Sequence, residues 1–171
     1  MNKIFGIVGW SGSGKTDLIC RLINAFKKSN ILVGSIKHTH HKFQIDKEGK
    51  DSFKHRQNGA HEVLIGGSSN FALIHSGIKS TGYSIHDLKK KLSEKNDLIL
   101  VEGFKKSDLP KIEVYHSCLN KEVLWENNQS IKAFVYDTDD NKVQKCNLPK
   151  YKFDLQLPWS VPLKNIIRTK F

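Results

Sequence analysis

Eight consecutive residues carry the strongest chemical signal in the chain: Gly9-Trp10-Ser11-Gly12-Ser13-Gly14-Lys15-Thr16, a full match to GxxxxGK[ST]. Gly12 and Gly14 let the backbone turn its N–H groups inward with no β-carbon in the way. Gly9, Ser11, Gly12, Ser13, Gly14 and the neighbouring Asp17 are therefore read as contacts to a bound phosphate chain. Lys15 would set a cation beside the β and γ oxygens, and Thr16 would offer its hydroxyl to Mg²⁺. A glycine-rich turn that merely joined strand to helix would not need a Lys-Thr pair in the first helical turn. Trp10 fills a variable position of the pattern and receives no role.

A second candidate is Glu102, at the tip of the apolar run Leu98-Ile99-Leu100-Val101. A carboxylate there commonly holds Mg²⁺ or a water bound to it, so Glu102 joins Lys15 as a catalytic candidate and Thr16 as a metal ligand. It is one methylene longer than Asp and can act through a water; the alternative is a solvated strand-end glutamate. Gly103 and Lys105 extend the nucleotide-binding set. Asp46 is a rival metal ligand and Asp51 a further nucleotide contact, each also readable as a loop or helix-cap residue. His38, His40, His41, His55 and His61 match no zinc spacing. Lys37-His38, Lys50-Asp51 and Arg56 are read instead as lining the anion site, against the alternative of a solvated loop.

These residues need elements to hold them. Ile4–Val8 is a short β-branched strand. A helix opens at Lys15, with Leu18, Ile19, Leu22, Ile23 and Phe26 on one face, and ends at Ser29-Asn30. Ile31–Ile36 reads as a second strand, Gly49–Gly59 as a short helix, and Glu62–Ile65 with Phe71–Ile74 as two strands joined through glycines. Ser84 caps a helix that buries Ile85, Leu88 and Leu92. Asp97–Val101 has the unbroken apolar character of a central strand covered on both faces. Pro110–Tyr115 and Ile131–Tyr136 are further strands, Asp137–Lys152 is polar and poorly patterned, and Leu157-Pro158-Trp159 reads as a strand end at the sheet edge. The alternation specifies an α/β fold in a single domain, residues 1–171.

Composition narrows the classes. The chain has 171 residues, 38% of them apolar, and 28 Lys+Arg against 17 Asp+Glu give a net charge of +11. That is enough apolar content for a core, and the excess charge favours an anionic partner. Apolar stretches fall far short of the roughly 20 residues of a membrane span. The opening MNKIFGIVG lacks the apolar core of a secretory signal, so a soluble, cytoplasmic chain is expected. Cys20, Cys118 and Cys146 are widely spaced and lack CxxC, and all three are expected to be buried thiols.

GWSGSGKT at 9–16, KHTHHKFQIDKEGKDSFKHRQNGA at 37–60 and LILVEGFK at 98–105, with KIEVYH at 111–116, resemble the MobB family of molybdopterin guanine dinucleotide biosynthesis over about the first two-thirds of the chain. The resemblance implies a P-loop NTPase three-layer sandwich whose central sheet is mostly parallel, with antiparallel edge strands. It also implies GTP binding with slow Mg²⁺-dependent hydrolysis and a homodimer. The implied partners are molybdopterin and MobA, the transferase that attaches GMP to it. Phosphate binding would fall to Gly9–Thr16, and metal or hydrolytic roles to Glu102 and to Asp46 or Asp51. Two positions depart from the pattern: Asp17 stands where a second Thr is common, and His116 where Arg is expected.

Guanine is usually read by an Asn-Lys-x-Asp loop, and Asn141-Lys142-Val143-Gln144 lacks the Asp. Asp137, Asp139 and Asp140 are candidates for that role or members of an ordinary polar turn. Two other functions compete. A small-molecule kinase would usually bring a lid with arginines, and the chain has only Arg21, Arg56 and Arg168. A basic binding module would show an aromatic-interleaved basic stretch or a recognition helix, and none is evident.

Overall fold

The computed structural model describes residues 3–39, 43, 45–76 and 82–153. Strands β1 (Lys3–Val8), β2 (Val33–Lys37), β5 (Leu98–Glu102), β6 (Lys111–Tyr115), β7 (Ile131–Tyr136) and β8 (Lys150–Lys152) form one sheet, in the order β2-β5-β1-β6-β7-β8. Every pairing in it is parallel. Strands β3 (Glu62–Gly66) and β4 (Phe71–His75) form a separate antiparallel hairpin. Among the described residues no antiparallel strand joins the main sheet, for a topological reason. Edge strands β2 and β8 are each preceded by a crossover helix, α1 (Lys15–Lys27) and α4 (Asn141–Lys145), which returns the chain in the same direction. Only the short connection between β3 and β4 permits a hairpin.

The described residues of 1–38 and 85–171 form one compact unit, and those of 39–84 a second. In the first unit, side chains alternate across the sheet as the pleat requires. Phe5, Ile7, Leu98, Leu100, Ile112, Val114, Ala133 and Val135 bury one face against Leu18, Ile19, Leu22 and Phe26 of α1. On the opposite face, Ile99, Val101 and Ile36 pack with Leu88 of α3 (Ile85–Lys89) and Leu92, while Phe134 and Tyr115 pack with Val143 and Cys146. The sheet is therefore covered on both sides. Helix α1 stops where Asn30 takes φ 56°, and the Ile31 N–H closes back on the Phe26 carbonyl at 3.1 Å. In the second unit, α2 (Asp51–Gln57) precedes the hairpin, whose Leu64, Ile65, Phe71 and Leu73 are exposed.

The polar segment after β7 acquires order from one carboxylate. Asp140 caps α4, accepting the N–H groups of Lys142 and Val143 at 2.9 and 3.0 Å, and its other oxygen accepts the Tyr115 hydroxyl at 2.6 Å. Asp140→Ala should cost about 2 kcal/mol, from the lost cap and the stranded hydroxyl, measured by urea unfolding. Leu157–Trp159 lies outside the described residues.

The cysteine expectation holds for Cys146 only. Cys20 and Cys118 are exposed. Cys20 faces away from the apolar stripe of α1, and Cys118 lies in a surface 3-10 turn, Ser117–Leu119, so neither packs into a core.

Candidate functional site

The glycine loop sits at the carboxyl end of β1, between two fully buried strand residues, Ile7 and Val8, and the start of α1. Gly12 and Gly14 take φ 80° and 91°, the left-handed conformation that favours glycine. Gly14 is also the residue that caps α1, and no side chain among the described residues caps the helix end. The first-turn N–H groups are thus left for an anion. The Trp10 carbonyl organises the loop from within, accepting the Ser13 N–H at 3.1 Å and the Lys15 ammonium at 2.6 Å. The Ser13 hydroxyl is buried with no hydrogen-bond partner among the described residues. Burial lowers the Lys15 pKa; Glu102 opposes that effect, and Lys105 and Lys37 add to it.

Parallel register delivers the second half of the site. Glu102 pairs with Ile7 of β1 on one side and Lys37 of β2 on the other, so all three end at the same edge of the sheet. The Thr16 hydroxyl lies 3.3 Å from each Glu102 carboxylate oxygen, and the Lys37 ammonium lies 3.2 Å from Oε1. After Glu102, Gly103 (φ 95°) and Phe104 (φ 50°) turn the chain sharply. A β-carbon at Gly103 would approach His38 Cβ to 3.1 Å. The turn brings the Lys105 ammonium to 4.2 Å from the centre of the Trp10 ring.

Trp10, to which the sequence reading gives no role, is a structural tie. Its indole N–H donates to the Glu122 carbonyl at 2.7 Å, across 112 positions of sequence. Two residues further on, the N–H groups of Leu124 and Trp125 are held at 2.7 and 2.8 Å by the carboxyl of Glu113. Glu113 and its neighbour Lys111 are 1% and 0% exposed. The Lys111 ammonium donates to the Ser107 and Leu109 carbonyls and so closes the loop that carries Lys105. Sequence reasoning missed both residues. Their alternation with Ile112 and Val114 resembles a solvated face, and only the interior position of β6 signals that both faces are covered.

The remaining candidates have other partners. Asp17 pairs with Arg21 at 2.9 Å on the side of α1. Asp46 and Asp51 belong to the second unit. Asp46 meets Arg56 through two contacts, of 2.9 and 3.2 Å, with its side chain 2% exposed. Asp51 opens α2, 91% exposed, 3.6 Å from Lys54. Asp137 accepts from Ser117, Asp139 pairs with Lys152, and Asp140 is the cap described above. The His38 ring packs on Phe104, while His40 and His41 lie outside the described residues.

A strand, a glycine loop and a helix on a parallel sheet covered on both faces define the P-loop NTPase fold. A solved structure of molybdopterin-guanine biosynthesis protein B (mobB) shares this fold at a TM-score of 0.70, with 24% identity over 96% of this chain and 94% of that one. The family profile of molybdopterin guanine dinucleotide synthesis protein B, MobB, matches residues 4–137, and the chain belongs to that family. The molybdopterin-guanine dinucleotide biosynthesis adapter protein of Haemophilus influenzae is 38% identical over 120 residues, 69% of this chain and 66% of that protein. The protein of the same name from Escherichia coli is 37% identical over 116 residues, 67% and 66% respectively. The matched region thus spans just under two thirds of each relative's length.

Proposed function

We propose that this adapter-family chain binds GTP, hydrolyses it slowly with Mg²⁺, and assists a MobA-like guanylyltransferase in attaching GMP to molybdopterin. The observation that carries the reading is the meeting of the Thr16 hydroxyl and the Glu102 carboxylate beside a glycine loop whose helix end has no side-chain cap. A hydroxyl and a carboxylate are hard oxygen donors, which suit Mg²⁺ better than a thiophilic metal. Thr16 and Glu102 would hold the ion, directly or through water, and the ion would offset charge on the phosphate oxygens. The loop N–H groups and Lys15 would stabilise charge on the γ-phosphoryl group as water attacks. Asp46 and Asp51 are weaker metal candidates, the first because Arg56 already neutralises it.

Slow turnover follows from the arginines. Among the described residues Arg21 is engaged with Asp17, and Arg56 with Asp46; Arg168 lies outside them. The net charge of +11 supports docking on an acidic partner or on the phosphorylated pterin. The exposed apolar side chains of β3 and β4 support a homodimer, and the working compartment is the cytoplasm.

Titration of the wild type and Lys15→Ala with GTP and ATP, with and without Mg²⁺, tests the reading. GTP should bind in preference to ATP and more tightly with Mg²⁺, and the substitution should weaken it by about tenfold to a hundredfold. Equal retention of every ligand by the variant would overturn the site. Hydrolysis at many turnovers per second would overturn the mechanism.

A further inference from the structure

Two charged side chains that the proposed chemistry does not use lie buried on β6. Lys111 and Glu113 are two residues apart, and so on the same face of the strand. Each holds a loop, and both loops lead to Trp10. On one side the Lys111 ammonium donates to the Ser107 and Leu109 carbonyls, which fixes the turn that sets Lys105 on the Trp10 ring. On the other side the Glu113 carboxyl holds the segment 122–125. Its Oε1 accepts the Leu124 N–H at 2.7 Å and its Oε2 the Trp125 N–H at 2.8 Å, and the Glu122 carbonyl of that segment accepts the Trp10 indole N–H at 2.7 Å. The Asn128 amide joins the two loops, donating to the Lys105 carbonyl at 3.0 Å. Buried Val123 also packs the segment down, but apolar packing does not set the direction of a carbonyl, whereas two hydrogen bonds do. Trp10 belongs to the phosphate loop, where its own carbonyl accepts from the Ser13 N–H and the Lys15 ammonium. Direct bonds thus lead from a buried carboxyl, through one short segment, to the loop lysine.

We propose that Glu113 is a positioning residue for the phosphate loop: its carboxylate orients the Glu122 carbonyl and through it Trp10, and a proton taken up at Glu113 slackens that hold. An ionised carboxyl accepts at both oxygens. A protonated one carries a hydroxyl at one of them, a donor set against an N–H donor, so one of the two bonds is weakened or lost. The segment therefore has a clamped and a slack arrangement. Burial favours the proton and the two N–H groups favour the charge, so the forms exchange at about pH 7. Four titratable groups face Glu113. Lys105, from the turn after β5, favours its charged form, and Glu126, from the 3-10 turn Trp125–Asn127, opposes it. The others are Cys146, at the end of α4, and Tyr115 on the same strand; burial pushes both up, so neither changes charge near neutral pH. The consequence for a nucleotide rests on the proposed GTP site, whereas the tie between Glu113 and Trp10 does not.

The Trp10 indole N–H resonance of the full chain, assigned by its loss in Trp10→Phe, reports the tie directly. In the wild type it should move downfield as the pH rises, with the midpoint of the Glu113 carboxyl carbon, because the bond to the Glu122 carbonyl tightens as the charge forms. In Glu113→Gln it should keep its low-pH position throughout. An indole that does not titrate, a midpoint apart from that of the carboxyl, or a transition that persists in Glu113→Gln would overturn the proposal. The two midpoints are read in the wild type alone, so they decide the matter even if Glu113→Gln fails to fold. GTP affinity is then measured for the wild type, Glu113→Gln, Trp10→Phe and the double variant, a cycle that cancels the direct repulsion between the Glu113 charge and the anion. At about pH 8.5 the effect of Glu113→Gln should be about fivefold more adverse in the wild-type background than in Trp10→Phe, and at about pH 5.5 the two backgrounds should agree. Equal effects at the higher pH would overturn the hold on the phosphate loop. If the wild type binds no GTP at either pH, it is the GTP site that fails, and the indole titration still decides the tie between Glu113 and Trp10.

Discussion

Gly9→Ala should cost the fold about 4 kcal/mol, combining a strained backbone with an overpacked side chain. Gly9 has φ 154°, and a β-carbon on it would lie 2.4 Å from the Val114 carbonyl oxygen and 2.5 Å from the Ser13 hydroxyl. The carbonyl cannot yield, because Val114 belongs to a strand paired on both sides and is 1% exposed. The hydroxyl cannot yield cheaply either, since Ser13 is 3% exposed and packed beneath the loop. In urea the midpoint should fall sharply with little change in slope, and surviving folded protein should have lost phosphate affinity. A stability loss under about 1 kcal/mol would mean that the loop moves as a unit away from β6.

A second large effect concerns proton binding. Burial pushes Glu113 up to about 7 from an ordinary 4.5, even though the Leu124 and Trp125 N–H groups and the Lys105 charge pull the other way. Between those two values the native state keeps a proton that the unfolded chain has released. Its contribution to stability is therefore fully present below pH 4.5 and lost as the pH rises to about 7, a change of about 3 kcal/mol. Other carboxylates and histidines impose their own slopes, so the informative quantity is the stability of the wild type minus that of Glu113→Gln. That difference should shrink by about 3 kcal/mol across the window and level off above it. A difference that does not vary with pH would show that Glu113 titrates alike in both states.

What the sequence revealed, and what it hid, follows the range of the forces involved. The glycine loop, the apolar face of α1 and the run Leu98–Val101 are local patterns, and each formed the expected element. Glu102 was legible because the strand that ends in it is unbroken. Lys37 was expected near the anion site, but its pairing with Glu102 depends on β2 lying beside β5, which no local pattern specifies. The buried Lys111 and Glu113 were hidden for the same reason. The Trp10 bond to the Glu122 carbonyl joins distant segments and leaves no periodic trace. Cys20 and Cys118 show the limit of composition: a thiol's average preference for the interior gives way to the face of the helix or turn it occupies.

The register of the first strand also sets the timetable of assembly. Lys3 is matched with Leu98, and Val8 with Glu113, so β1 has no neighbour until most of the chain has left the ribosome. Through that interval Phe5, Ile7 and the apolar side of the first helix lack the sheet that covers them in the folded chain, and transiently exposed apolar surface of this kind is aggregation-prone. The phosphate loop emerges among the earliest segments to be synthesised, yet the strand it follows must wait for β5 and β6. A ribosome stalled before residue 98 would carry the whole GxxxxGK[ST] signature on a chain unable to form the β1–β5 pairing that gives the loop its shape.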